Sequence, residues 1–317
     1  MIPMRSKPVP YLMLTLLLLA LTGCGKHDSP TNSGGQAAPL KVGIIPFDKV
    51  DALQAGFQPY ADYLGRKSGR PGGQVFVTPS YAGILQALQA DQIDCAYLNS
   101  LSYVLAVQQF KDTPEHLVPL AMPYFHHSLT YKGIIFVRAD SGINSIKDLR
   151  GKSFAFADRT STSGYLYPAG LMKEAGIDPE KDVKTSNIPG NAGVMAVYNK
   201  QADGSATYET GLETAFTDTA TKKVDTAKVD EFKIIATTAP IPNGMFVARA
   251  NLDAATLDKL KQALDNINTD PQGQAALKAL PQGGWDKMVP ADDKIFDSVR
   301  KKATILGLNL QSLDTKK

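Results

Sequence analysis

A run of four hydroxyl side chains is the part of the sequence best suited to chemistry. The run consists of Thr160, Ser161, Thr162 and Ser163, and it separates an apolar stretch from a segment with helical spacing. A helix needs only one hydroxyl as its N-cap, whereas the free N–H groups and the dipole of a helix N-terminus attract anions. The run therefore predicts a neutral cradle for a phosphorus or sulfur oxyanion. From these residues alone, an ordinary N-cap in a Ser/Thr-rich loop remains the alternative.

Motifs for catalysis or metal binding are missing from the sequence. It contains no GxxxxGK[ST] phosphate loop and no GxGxxG, HExxH, CxxC or GxSxG pattern. The four histidines are not spaced as ligands of one metal ion; they are His27, His116, His126 and His127. We therefore predict a protein that is not an enzyme and that has no catalytic residues, cofactor or metal.

The N-terminus has the pattern of an export signal. A short basic segment precedes a Leu-rich run that is too short to cross a membrane as a helix. The run ends at Leu21-Thr22-Gly23-Cys24, which resembles the lipobox of bacterial lipoproteins. We predict a signal peptide at 1–23, lipidation such as palmitoylation at Cys24, and a flexible Gly/Ser/Pro-rich tether at 24–39. A plain signal peptide is the alternative.

Composition excludes some partners. The formal net charge is +3, and the Lys and Arg residues are dispersed, so we expect no nucleic-acid binding. Only Cys95 remains after lipidation of Cys24, so no internal disulfide is expected.

The elements that must position the hydroxyl run alternate between short apolar runs and helical segments. This order predicts βαβ units and mostly parallel sheets, with Ser80 and Asp253 as N-caps. We predict two α/β lobes joined by a two-strand hinge, with ligand sites at strand ends. Lobe 1 would span 40–137 and be completed by 240–317, and lobe 2 would span 138–239. The strand at 131–137 would belong to lobe 1, with hinge crossings near 138–142 and 236–240.

The hydroxyl run also resembles a known family. Residues 158–168 are similar to the DPxSTSGxLxP motif of the phosphate/phosphite/phosphonate ABC-transporter binding proteins. Weaker matches follow in the same order along the chain, at 79–86, 91–102, 131–141, 146–151 and 240–244. The resemblance covers about residues 40–280, nearly the whole chain after Cys24.

This resemblance implies a type II periplasmic-binding-protein fold that closes on its ligand by a hinge motion. It implies that the hydroxyls of Ser161, Thr162 and Ser163 hold the phosphonate oxygens. It also implies that Tyr81 reaches the ligand and that Tyr97 is a pocket aromatic. Tyr131 is a candidate only by its position at a strand end facing the cleft.

Two departures from the family pattern concern the ligand. Family members commonly carry a His after the strand that matches 183–188, whereas Asn191 is the nearest polar residue here. The acid that binds an aminoalkyl group in some members is missing near residue 243, although Glu209 could supply one. The sequence thus disfavours an aminoalkylphosphonate and leaves phosphite, methylphosphonate, phosphate or another small ligand open.

The resemblance predicts a lipid-anchored, monomeric solute-binding component of an ABC importer. Its partners would be a small phosphorus oxyanion, a permease and the ATPase of that permease. It would face the periplasm or the cell exterior and touch the membrane only through its lipid. One alternative is a sensory module of the same fold that feeds a membrane receptor, with a phosphorus or non-phosphorus ligand. An enzyme is a further alternative, disfavoured by the missing motifs.

Overall fold

The computed structural model describes residues 38–113, 116–218 and 220–308. The predicted signal peptide, Cys24 and the tether up to residue 37 lie outside the described residues. Within the described ranges, no helix is long and apolar enough to cross a membrane.

Thirteen strands are found in the described residues. They are β1 (Leu40–Ile44), β2 (Gly73–Val77), β3 (Cys95–Leu98), β4 (Leu117–Tyr124), β5 (Thr130–Tyr131), β6 (Gly133–Arg138), β7 (Ser153–Phe156), β8 (Lys184–Asn187), β9 (Gly204–Tyr208), β10 (Phe232–Thr237), β11 (Ile241–Pro242), β12 (Met245–Arg249) and β13 (Lys287–Pro290).

Ten α-helices accompany these strands in the same part of the chain. They are α1 (Val50–Lys67), α2 (Tyr81–Gln89), α3 (Ser100–Phe110), α4 (Tyr167–Glu174), α5 (Ala192–Tyr198), α6 (Gly211–Ala215), α7 (Thr226–Val229), α8 (Ala254–Asn266), α9 (Pro271–Ala279) and α10 (Asp297–Ile305). The predicted N-caps are confirmed, because the side chain of Ser80 accepts a hydrogen bond from Gly83 N and that of Asp253 accepts one from Thr256 N. Short 3-10 segments lie at Ala139–Ser141, Ile146–Leu149 and Asp293–Phe296, and a π-helical turn lies at Thr162–Leu166.

The strands form two main sheets and a small ribbon. The order is β13-β4-β12-β3-β1-β2 in the first sheet and β10-β6-β9-β7-β8 in the second, and β5 pairs with β11. The prediction of mostly parallel sheets is wrong, since β12 runs antiparallel to both of its neighbours and β6 does so as well. These strands enter their sheets from the ribbon rather than from a crossover helix, so their direction is reversed.

The strand predicted at 131–137 lies in the second lobe, not the first. As β6 it hydrogen-bonds to β9 on one side and β10 on the other. The first crossing between the sheets therefore precedes Gly133 and is not at 138–142. It runs through β5, whose partner β11 lies on the return crossing. The apolar run Ile134–Val137 is buried whichever sheet receives it, so its pattern did not identify the sheet.

The C-terminal segment contacts both lobes. Strand β13 pairs with β4 in the first sheet, while α10 packs against α3 of the first lobe and α4 of the second. Lys302 on α10 bonds to Glu174 at 2.8 Å and lies over the ring of Tyr167. This helix is therefore a third link between the lobes, besides the two crossings.

Candidate functional site: a cavity between the lobes

The hydroxyl run forms the start of a π-helical turn. The run follows β7, and the Ser161 side chain accepts a hydrogen bond from Gly164 N at 3.1 Å. The N–H of Leu166 reaches Ser161 O at 3.0 Å, a π-type spacing, and the chain then continues as α4. A Cβ on Gly164 would lie 2.4 Å from the Cβ of Ala157, so only glycine permits this tight packing on the strand end.

A cavity of about 100 Å³ lies between the lobes at the carboxyl ends of β1, β3, β7 and β9. Its walls include six of the eight residues predicted as ligand contacts: Tyr81, Tyr97, Tyr131, Ser161, Ser163 and Glu209. The structure thus brings most of the predicted set together from both lobes and from the ribbon. Thr162 and Asn191 do not line this cavity.

The tyrosines on the cavity wall are neutral hydrogen-bond donors. Burial raises the pKa of Tyr97 to about 12, although the N–H of Gly244 opposes the shift. Burial also raises the pKa of Tyr81, assisted by the nearby Asp158 carboxylate, and that of Tyr131, which the Ser163 hydroxyl partly offsets. Their O–H groups therefore stay protonated at neutral pH and can donate to an anion.

The cavity favours an anion without a cationic side chain. Among the described residues, none of those lining it is Lys, Arg or His. Three helical N-termini meet at its wall, those of α2 at Tyr81, of α3 at Asn99 and of the π-helical turn at Ser161. The dipoles of these helical segments supply positive potential where serine and tyrosine hydroxyls supply hydrogen-bond donors. This arrangement fits a small oxyanion.

Glu209 is the one carboxylate on the described cavity wall, and it lies at the rim. It is exposed, and its Oε1 accepts a hydrogen bond from Lys132 N at 3.3 Å. No group of three or more His, Cys, Asp or Glu residues that could hold a metal ion occurs in the described ranges.

Known proteins share both the sequence pattern and the fold of this chain. The family of ABC-transporter phosphonate periplasmic substrate-binding proteins matches residues 42–296. The chain belongs to this family. Its fold is the two-lobed type II periplasmic-binding fold of these proteins. The binding-protein component of an ABC phosphonate transporter from Pseudomonas aeruginosa superimposes with a TM-score of 0.74 and 25% identity, covering 87% of this chain and 90% of that chain.

Three relatives resemble this member of the phosphonate-binding family in sequence. The phosphonates-binding periplasmic protein of Escherichia coli is 28% identical, over 87% of this chain and 79% of the relative. The phosphate-import protein PhnD of Mycolicibacterium smegmatis is 28% identical, over 91% of this chain and 93% of the relative. The tetrathionate sensor histidine kinase TtrS of Salmonella typhimurium is 27% identical over 83% of this chain, which spans 44% of that kinase.

In this member of the family, Thr162 joins the two lobes. Three hydrogen bonds cross the cleft at the hydroxyl run: Leu101 N to Thr162 Oγ1 (3.0 Å), Asn99 Nδ2 to Thr160 O (3.2 Å) and Tyr81 N to Asp158 Oδ2 (3.3 Å). Thr162 is 1% exposed and accepts from a buried backbone N–H. The hydroxyl run therefore both lines the cavity and holds the cleft closed.

Replacing Thr162 with valine is expected to weaken ligand binding by about 5- to 150-fold, because the closed form then buries the Leu101 N–H without a partner at a cost of about 1–3 kcal/mol. The only tryptophan, Trp285, lies on the cavity wall, so its fluorescence measures binding in a titration with methylphosphonate. Thr162→Ser, which keeps the acceptor, should bind within about threefold of the wild type. Equal affinities for the valine and serine variants would contradict this role.

Asn191 lies behind the cavity wall. Its Nδ2 donates to Gly211 O at 2.6 Å, and its Oδ1 accepts from Thr207 Oγ1 at 2.7 Å. Thr207 lines the cavity. The side chain therefore positions a wall residue from behind, which differs from the ligand contact predicted from the sequence.

Five aromatic residues of the cavity wall were missed by the sequence analysis: Phe47, Phe57, Phe125, Tyr208 and Trp285. The hydroxyl of Tyr208 is buried and has no hydrogen-bond partner among the described residues. Burial raises the pKa of Tyr208, and the nearby carboxylate of Asp48 raises it further. The position of Tyr208 at the end of β9, directly before the predicted contact Glu209, was a usable signal. Trp285 lies between α9 and β13, where no local pattern indicated a pocket residue.

Proposed function

We propose that this protein is the solute-binding component of an ABC importer and that it captures a small phosphorus oxyanion, a phosphonate or phosphite, in the cavity between its lobes. Family membership supports the transport role. One observation supports a phosphorus oxyanion as the ligand: serine and tyrosine hydroxyls form a neutral wall beside three helical N-termini. Such a wall can hold an oxyanion through hydrogen bonds alone.

In the proposed mechanism the ligand first binds to Ser161 and Ser163 on the second lobe. The first lobe then closes and brings Tyr81 and Tyr97 over it, while the Leu101–Thr162 hydrogen bond forms across the cleft. Closure excludes water, so each hydrogen bond to the anion becomes stronger in the lower dielectric. A permease then recognises the closed form, as expected for a hinge-closing binding protein.

The proposal includes an envelope location and an anchor. The chain would be exported by residues 1–23, lipidated on Cys24 and tethered through the segment that ends near residue 39. The monomer would deliver its ligand to a permease that is driven by an ATPase. We place the lobe boundaries in the β5–β11 ribbon, so that the second lobe is about 133–238.

A sensory module is the second candidate. Its support is the similarity to a part of the tetrathionate sensor histidine kinase TtrS. Like phosphonates, polythionates carry an anionic head that neutral donors can bind. The form of the sensory candidate that this relative supports would bind a polythionate rather than a phosphorus oxyanion.

The test is thermal unfolding of the full-length protein, freed of ligand, with phosphite, methylphosphonate, ethylphosphonate, 2-aminoethylphosphonate, phosphate, sulfate or tetrathionate. A true ligand at 100 times its dissociation constant adds about 2.7 kcal/mol to the free energy of unfolding. We expect a phosphonate or phosphite to give the largest rise in Tm. A rise with tetrathionate alone would support the sensory candidate and contradict the proposed ligand class.

The same samples test the prediction that the protein is not an enzyme. Phosphorus NMR should recover the bound phosphonate unchanged after prolonged incubation. Formation of phosphate or a new phosphorus signal would contradict it.

A further inference from the structure

Four aromatic rings form a continuous wall on the first-lobe side of the cavity. We call Phe47, Phe57, Tyr97 and Trp285 the aromatic wall. Neighbouring rings touch around a closed cycle, with centroids 6.3 Å apart for Phe47–Phe57, 5.7 Å for Phe57–Trp285, 5.1 Å for Trp285–Tyr97 and 6.5 Å for Tyr97–Phe47. All four side chains line the cavity. Apart from the Tyr97 hydroxyl, one face of the ligand space is therefore apolar, and edge-to-face and tilted ring packing hold it in place.

Apart from the hydroxyl of Tyr97, further hydroxyl groups lie on other parts of the cavity. Ser161 and Ser163 come from the second lobe, and Tyr131 comes from the ribbon. A phosphonate has three oxygens and one carbon substituent on phosphorus. When its oxygens bind the hydroxyls, its carbon substituent is the part left to face the aromatic wall.

The cavity is larger than an oxyanion head requires. Its volume is about 100 Å³, on a scale on which one water needs about 10–15 Å³. Phosphite or methylphosphonate would leave much of this space filled with water against apolar rings, which is unfavourable. A larger apolar substituent would displace that water.

A positively charged substituent fits the site less well. Across the described cavity residues the one carboxylate is Glu209, which is exposed at the rim and already bonded to Lys132 N. Burying an ammonium group without a paired acid is costly. Aromatic rings can attract a quaternary ammonium through their faces, so this alternative must be part of the test.

We propose that the ligand is a phosphonate with an uncharged apolar substituent of three or more carbons, aliphatic or aryl, packed on the aromatic wall. This inference rests on the proposed function, because it assumes a phosphonate head at the hydroxyls. Phe47 is the specificity residue best suited to a test. It is half-buried, whereas Phe57 is 1% exposed and packs within the first-lobe core.

The experiment measures dissociation constants of the full-length protein by calorimetry for methyl-, propyl- and phenylphosphonate. Propylphosphonate should bind about tenfold more tightly than methylphosphonate, from the burial of two further CH₂ groups. Phe47→Ala should reduce the affinity for propyl- and phenylphosphonate by roughly tenfold, while methylphosphonate changes by less than about threefold. Phe232→Ala is the matched control: it removes a half-buried phenylalanine of the second lobe that packs on Phe136 away from the cavity.

A matched ligand pair separates the two kinds of substituent. We expect 3,3-dimethylbutylphosphonate to bind more tightly than 2-(trimethylammonio)ethylphosphonate, which has the same shape and one positive charge. The reverse order would overturn the inference in favour of a cation site. Equal or tighter binding of methylphosphonate than of propyl- and phenylphosphonate would also overturn it, while leaving the proposed function intact. No binding of any phosphonate would remove the inference, and no binding of phosphite either would remove the proposed function as well.

Discussion

Replacing Ser161 and Ser163 together with alanine is expected to reduce the affinity for methylphosphonate at least about 100-fold. Hydrogen bonds to a charged group contribute about 1.5–3 kcal/mol each, so losing two costs about 3–6 kcal/mol of binding free energy. Both hydroxyls lie on the cavity wall, where no described Lys, Arg or His could compensate. Titration of Trp285 fluorescence measures the loss.

The two serines should differ in their effect on folding. Ser161 is the N-cap that accepts from Gly164 N, so Ser161→Ala should also lower the free energy of unfolding by about 1 kcal/mol. Ser163 has no capping role, so Ser163→Ala should leave the Tm nearly unchanged. The control is the double variant Thr185→Ala/Ser186→Ala on the exposed strand β8 of the same lobe. Wild-type affinity in the Ser161/Ser163 double variant would refute the hydroxyl site.

Replacing Gly244 with alanine should have the next largest effect, on both stability and binding. A Cβ at this position would lie 2.1 Å from Leu98 O and 2.6 Å from Cε2 of Tyr97. The backbone oxygen is held in the pairing of β3 with β12, so the strand pair must shift to relieve this contact, and the ring of Tyr97 must move as well. We expect a loss of about 3 kcal/mol or more in unfolding free energy, measured by urea denaturation, and a displaced cavity wall.

A second glycine provides the control for Gly244→Ala. Gly142 has φ +74°, and no atom lies within 4 Å of the position that a Cβ would take there, so alanine meets only the backbone cost of about 1–2 kcal/mol. The ligand affinity of Gly142→Ala should match the wild type, whereas Gly244→Ala should bind more weakly even under conditions where it is fully folded. Unchanged stability of Gly244→Ala would mean that the strand pair accommodates the methyl group.

The local features of the fold were predictable from the sequence. Helix caps such as Ser80 and Asp253 depend on residues three positions apart, so short-range pattern suffices. The hydroxyl run was also found this way, because four consecutive hydroxyl residues between a strand and a helix are more than a single N-cap requires. Tyr97 was found through the resemblance to the family, and Tyr131 through its position at the end of a strand facing the cleft.

The sheet that receives a strand was not predictable in the same way. Strand β6 is apolar and buried on both faces, a pattern that fits either sheet. Its assignment depends on hydrogen bonds to β9 and β10, which lie about 70 to 100 residues further along the chain. This placement moved the first crossing into the β5–β11 ribbon.

By itself, the sequence determined the lobed α/β architecture, the hydroxyl run at a helix start and the family, because each depends on short-range spacing or ordered motifs. Tertiary structure alone decided how each side chain is used. Thr162 bonds to Leu101 across the cleft, Asn191 supports Thr207 from behind, and Trp285 joins the aromatic wall from the far end of the chain. The physical reason is that the sequence around a hydroxyl, an amide or an aromatic side chain is the same whether that side chain contacts the ligand, the backbone or the core. Only closure of the two lobes brings its actual partner within bonding distance.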